Sequence, residues 1–154
     1  MADEFAVRVA VRSYEVDANG HVNHAVYHQY GEHARMEHLR VAGCSPVRLN
    51  ARGWGVILLE THARFLSELL LGEQVEVSSR VAFGTGKTFR IEHVLRRVPE
   101  NVSENGAAPD ARVAAEISCR MGLLDMTARR LVADPAARLA EVATEPALLG
   151  LGSG

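Results

Sequence analysis

The chain contains only two cysteines, Cys44 and Cys119. That is too few for a disulfide framework, and it suits a reducing compartment, the cytoplasm. The sequon Asn101-Val102-Ser103 is then expected to be silent. Neither sign of charge is in excess: 17 Lys and Arg against 19 Asp and Glu leave a net charge of −2. A nucleic-acid partner would call for a basic surplus, so none is expected. No apolar stretch approaches the roughly 18 residues of a membrane span, and no membrane partner is expected. Residues 1–4 are acidic rather than basic, unlike the start of a secretory leader. No internal repeat and no second domain is visible. What remains is ordinary globular material, 47% hydrophobic and 23% charged, which excludes wholesale disorder. A length of 154 residues fits one domain, 1–154, that needs no disulfide or metal staple. The tail, rich in Ala, Pro and Gly from Asp134 onward, is expected to fray over about 146–154.

Hydrophobic periodicity sets the elements. Phe5, Val7, Val9 and Val11 alternate with polar positions and predict a half-buried strand. Asp17-Ala18-Asn19-Gly20 is a turn. Asn23 can cap a helix over about His24 to Ala42, with Tyr27, Tyr30, Ala34 and Val41 on one face. Gly31 lies on or beside that face, where it costs about 1 kcal/mol against Ala. Close approach of the helix to a sheet is the expected compensation. Gly43 and Pro46 end the helix. Trp54 to Phe65 reads as a strand buried on both faces for much of its length. Alternation over Val75–Phe83 and Phe89–Leu95, joined at Gly84-Thr85-Gly86, predicts a hairpin. Pro99 to Asp110 reads as a long hairpin loop, Val113 to Leu123 as the cleanest alternating strand, and Leu131-Val132 as a short last one. The predicted class is α+β: a mainly antiparallel, curved sheet of five or six strands wrapped around one long central helix.

Tyr14 to Leu39 carries most of the chemistry. Asp17 stands just before a helix start, Gly20 permits a tight turn, and the free N–H groups of the helix point into the same small space. A carboxylate that attacks a carbonyl or activates water, beside preorganised donors for an oxyanion, is what acyl transfer requires. An Asx turn or a helix cap is the competing structural role for Asp17.

Asp17-x-x-Gly20-x-Val22-x-x-x-x-Tyr27 resembles the start-of-helix motif of hotdog-fold acyl thioesterases of the 4-hydroxybenzoyl-CoA thioesterase type. His33, Arg35 and Glu37, with Glu60-Thr-His-Ala-Arg64-Phe65-Leu66, are similar to acyl-lipid and methylketone-pathway thioesterases. Phe65 to Leu69 resembles thioesterases of enediyne polyketide clusters. The resemblance spans about Val7 to Val132. It implies Asp17 as nucleophile or general base, with Asn23 and His24 at the helix start and the His24 amide polarising the thioester carbonyl. Arg35 matches an arginine that the polyketide enzymes also carry, and Gly20 and Tyr27 belong to the motif. The implied substrate is an acyl-CoA or an acyl group on acyl carrier protein. The implied assembly is a homodimer or homotetramer with sites at the dimer interface, and no metal or cofactor.

Glu60 is read on a strand face with Leu58 and His62, as a second carboxylate that orients water; buried, it would need Arg35 or His62 as partner. Structural ion pairing is its competing role. His24 and His28 have a spacing that can bind zinc, but no Cys is near and no His-Glu-x-x-His motif occurs, so no metal site is expected. Gly84 to Thr88 imitates the end of a phosphate-binding loop, yet Val81 stands where the first Gly is required and a strand follows. Lys87, Arg90 and the Arg96-Arg97 pair are instead candidates for the phosphates of coenzyme A or a phosphopantetheine arm, with solvated surface charge as the alternative. Two other functions compete with hydrolysis: a non-catalytic acyl-CoA-binding module, and a hotdog hydratase or dehydratase using His21 beside Asp17.

Overall fold

The computed structural model describes residues 4–99 and 111–152. Its elements are β1 (Phe5–Ala10), a 3-10 turn (Ser13–Glu15), α1 (His24–Val41), α2 (Pro46–Asn50), β2 (Trp54–Phe65), β3 (Gln74–Phe83), β4 (Thr88–Val98), β5 (Val113–Asp125), β6 (Arg130–Leu131), α3 (Pro135–Val142) and a second 3-10 turn (Pro146–Leu149). The strands form one antiparallel sheet in the order β1-β3-β4-β5-β2, with β6 added to β5. Helix α1 packs against β1, β3, β4 and β5, so the sheet wraps the helix as the α+β reading expected. No helix among the described residues is long and apolar enough to cross a membrane. The connection predicted as a hairpin loop, with its sequon, lies outside the described residues from position 100 to 110.

The helix-facing side of the sheet is built by the predicted alternation. Val75, Val77, Ile91, Leu95 and Ala115 are fully buried, as is Ala34 on the helix, and Tyr27 and Tyr30 are nearly so. Each fully buried aliphatic side chain contributes about 1.5–3 kcal/mol. Val41, expected on the same face, is instead exposed; in the last turn the buried positions are His38 and Leu39. Gly31 is where α1 comes closest: a Cβ there would lie 3.2 Å from His93 Cδ2 and 3.6 Å from Ile117 Cδ1. Gly43 ends the helix at φ +93°, and a Cβ there would meet Thr144 at 2.5 Å.

Three expectations are corrected. Strand β2 is not buried on both faces; it is an edge strand paired only with β5, and Leu58, Leu59 and Phe65 are exposed on it. The shared strand face of Leu58, Glu60 and His62 is broken by a bulge: Leu58 pairs with Met121 and Glu60 with Arg120, leaving Leu59 as the extra residue. One inserted residue reverses the parity, so Leu58 faces the helix while Glu60 and His62 face away from it. Fraying does not begin at residue 146. The Pro146–Leu149 turn is anchored by the fully buried Leu149 and by His38 Nε2, which donates to the Leu148 carbonyl at 2.6 Å.

Candidate functional site

The turn after β1 is held from both ends. Asp17 N–H donates to His21 O at 2.8 Å, and Gly20 N–H donates to Asp17 O at 3.0 Å with Gly20 at φ +79°. Asn23 N–H donates to Glu15 O at 3.0 Å, and Val22 N–H to Leu69 O at 2.9 Å. These bonds join the turn to the 3-10 segment before it and to the β2–β3 connection. Beneath it, the buried Glu15 carboxylate accepts from the Tyr30 hydroxyl at 2.8 Å and from Arg12 N–H at 2.8 Å. Burial, and then the hydrogen bond to the Glu15 carboxylate, push the Tyr30 hydroxyl well above its ordinary range. The strut is therefore a neutral phenol donating to a carboxylate, and it fixes the turn relative to α1.

Asp17 takes the structural role weighed for it with one carboxylate oxygen and leaves the other uncommitted. Its Oδ1 accepts from Asn19 N–H at 2.9 Å and His21 N–H at 3.2 Å, an Asx turn. Its Oδ2 has no hydrogen-bond partner among the described residues. Asn23 is the N-cap: its side chain accepts from Ala25 N–H at 2.9 Å and its carbonyl from Val26 N–H at 2.9 Å. Among the described residues the His24 amide, first of the helix, has no such partner. The positive end of the helix dipole thus carries one uncommitted donor.

Asp17, His24 and Tyr27 line one open depression of about 430 Å³ together with His21, Val22, Phe65, Leu66, Ser67 and Glu68. The Tyr27 ring stands edge-on to Phe65 at 5.2 Å, and its hydroxyl donates to Ser67 O at 3.4 Å. Desolvation chiefly raises the Tyr27 hydroxyl above its ordinary value, so it stays protonated. On the depression's rim His21 Nε2 lies 3.0 Å from Glu68 Oε2. A slightly larger cavity of about 460 Å³ lies elsewhere, lined by Phe5, His38, Ser79 and Leu148 among others. Its histidine is committed: both ring nitrogens of His38 are bonded, to Ser79 Oγ at 2.9 Å and to Leu148 O at 2.6 Å.

The remaining candidates stand apart from this depression. Glu60 is exposed on the face away from the helix and pairs with Arg120 Nε at 2.7 Å, not with Arg35 or His62. The sheet separates it from Arg35. Arg35 lies about 16 Å along α1 from the helix start. It is buried, and the one hydrogen-bond contact of its guanidinium among the described residues is Cys119 Sγ at 3.8 Å. Lys87 stands exposed in the β3–β4 turn, and Arg90 donates to Ser118 Oγ at 3.2 Å. Phe65 pairs with Ala115 and Thr88 with Gly122, so Lys87 is about seven strand residues, roughly 23 Å, from the depression within one chain. Among the described residues no three His, Cys, Asp or Glu side chains gather as a metal site would need.

Two residues that build the site, and one buried imidazole outside it, escaped the sequence. Glu15 and Glu68 lie in irregular segments where no periodicity reports burial or pairing. His93 had a readable signal: it continues the inward positions Phe89, Ile91 and Leu95 of β4.

Residues 11–144 match the family model described as the thioesterase-like superfamily. The chain is 30% identical over 99 residues to a chloroplastic acyl-acyl carrier protein thioesterase of Arabidopsis thaliana, covering 64% of this chain and 52% of that protein. It thus spans about half the length of that relative. Among solved structures, a hypothetical protein of Thermus thermophilus is 27% identical with a TM-score of 0.73, over 90% of this chain and 97% of the other. A Staphylococcus aureus protein solved in complex with CoA shares the fold at 21% identity and a TM-score of 0.74, over 91% of this chain and 84% of the other.

Proposed function

The chain belongs to the thioesterase-like superfamily, and from that premise we propose that it hydrolyses an acyl thioester to a free acid and a thiol. The observation that carries the reading is the convergence of the Asp17 carboxylate and the uncommitted His24 amide on one depression walled by Tyr27 and Phe65. Asp17 Oδ2 attacks the thioester carbonyl or activates the water that does. The His24 N–H receives the charge that develops on the carbonyl oxygen. Gly20 and Asn23 set this geometry rather than touch the substrate.

The substrate is an acyl-CoA or an acyl group on acyl carrier protein, and the motif favours the 4-hydroxybenzoyl-CoA thioesterase type. The acyl group lies along the seam between α1 and β2. It runs from Tyr27 and Phe65 past Arg35 toward an apolar hollow of about 160 Å³ lined by Met36, Leu39 and Val56 among others. The exposed apolar edge of β2 supports a dimer, and a contribution of Lys87 or Arg90 to the substrate's phosphates requires the second protomer. Both cysteines are buried free thiols, which suits a cytoplasmic enzyme.

A panel of acyl-CoA and acyl-carrier thioesters with free-thiol detection tests the reading. Asp17→Asn is expected to reduce turnover by ~10²-fold or more with the fold intact. Binding without thiol release across the panel would point to an acyl-CoA-binding module. Wild-type turnover in the variant would remove Asp17 from the mechanism.

A further inference from the structure

Glu68 has no role in the reading above, yet its carboxylate is aimed at the imidazole beside Asp17. We propose that Glu68 holds His21 as the base that hydrolyses the acyl group once Asp17 has taken it. This rests on the thioester-hydrolysis reading. Both residues line the same depression as Asp17. Glu68 Oε2 lies 3.0 Å from His21 Nε2, which places the proton of a neutral imidazole on Nε2. Nδ1 then carries the lone pair, and among the described residues no group bonds to it. The main chain fixes where the ring stands: His21 N–H donates to Asp17 Oδ1 at 3.2 Å, and His21 bridges to Leu70. The nucleophile and the imidazole are thereby tied to one turn.

The groups facing His21 are Asp17 from its own turn, His24 and Tyr27 from α1, and Glu68 from the β2–β3 connection. Glu73, also on that connection, accepts from Leu70 N–H at 3.1 Å. The Glu68 carboxylate accepts from Nε2–H and leaves Nδ1 facing away from it, the arrangement an orienting carboxylate gives to a histidine base.

The steps balance. Asp17 Oδ2 bonds to the acyl carbon as the C–S bond breaks and the thiolate departs. A water oxygen then bonds to that carbon while one of its protons passes to His21 Nδ1. The bond to Asp17 breaks, which releases the carboxylic acid and restores the carboxylate. The imidazolium gives its proton to the thiolate.

Two variants test this in the full chain, with thiol release followed against pH in pre-steady-state and steady-state modes. His21→Gln is expected to release one thiol per site in a burst and then turn over ~10²-fold more slowly. Glu68→Gln is expected to keep the thiol burst and slow the steady-state rate by tenfold or more, because Nε2–H loses the carboxylate that orients the ring. A purely structural tie would lower Tm and slow the burst and the steady state alike. The inference is overturned by wild-type turnover in both variants, by slow His21→Gln turnover without a burst, or by a Glu68→Gln burst slowed as much as its steady state; thioester hydrolysis then still stands. A wild type that splits no thioester removes that reading and the inference together.

Discussion

His93 is an imidazole buried under the helix, with 1% of its surface exposed. Desolvation drives its imidazole down from 6.5 to about 4, against the one hydrogen bond it makes, between Nδ1 and Ser78 O at 3.0 Å. Nε2 is buried and has no hydrogen-bond partner among the described residues. The unfolded chain takes up a proton here below pH 6.5, while the folded chain does so only near pH 4. The stabilisation is therefore fully present above pH 6.5 and is lost as pH falls toward 4. A shift of this size is worth about 3 kcal/mol at most. Thermal unfolding followed from pH 7 to pH 4 is expected to show Tm falling through that window. His93→Gln, which cannot titrate, should flatten the slope, and an unchanged slope would move the acid sensitivity elsewhere. His38, also lowered chiefly by burial, acts in the same direction and leaves a residual slope. The position of His93 was readable from the alternation of β4. Its protonation was not, because that depends on the helix that covers it and on the Ser78 carbonyl from the neighbouring strand.

Helix α1 and strand β2 show what an element's sequence does and does not carry. The start of α1 was legible because capping is local: Asn23 and the amides of the next two or three residues decide it. Gly31 was legible as a point of close approach, and the structure identifies the neighbour. Gly31→Ala gains about 1 kcal/mol of helix propensity. Its methyl, however, would stand 3.2 Å from His93 Cδ2, on a ring pinned by its bond to Ser78 O. The ring cannot yield without losing that bond, so overpacking outweighs propensity, with a net cost of about 1–2 kcal/mol. Chemical denaturation should show a lower midpoint for Gly31→Ala, and a raised midpoint would mean that the helix has room to lift from the sheet. In β2 the reading failed for a different reason. A bulge leaves no mark in composition, and the extra Leu59 turned Glu60 away from Arg35 toward Arg120. Side-chain parity along a strand survives only as far as its register does.

At the scale of the molecule the unsolved surface is the edge of β2. Edge strands normally guard themselves with unpaired charge, proline or cover. Strand β2 lacks proline, and its Glu60 and Arg64 are both spent on β5, on Arg120 at 2.7 Å and Glu116 at 3.4 Å. Leu58, Leu59 and Phe65 stay exposed along the same edge, and Leu66 and Leu70 extend the patch past the strand's end. The proposed second copy would cover this edge and continue the sheet from one protomer to the other. A contribution of Lys87 to the site requires that second copy, because Lys87 lies roughly 23 Å from the site in its own chain. Sedimentation at micromolar concentration is expected to show a dimer for the wild type. Leu58→Glu buries a charge only if that edge is covered, so it should yield monomers with unchanged secondary structure and a loss of thioesterase activity of tenfold or more, the cost of about 1.4 kcal/mol in the barrier. A Leu58→Glu protein that remains dimeric places the interface on another face. A wild-type monomer with full activity means that α1, β2 and the Asp17 turn of one chain suffice for the chemistry.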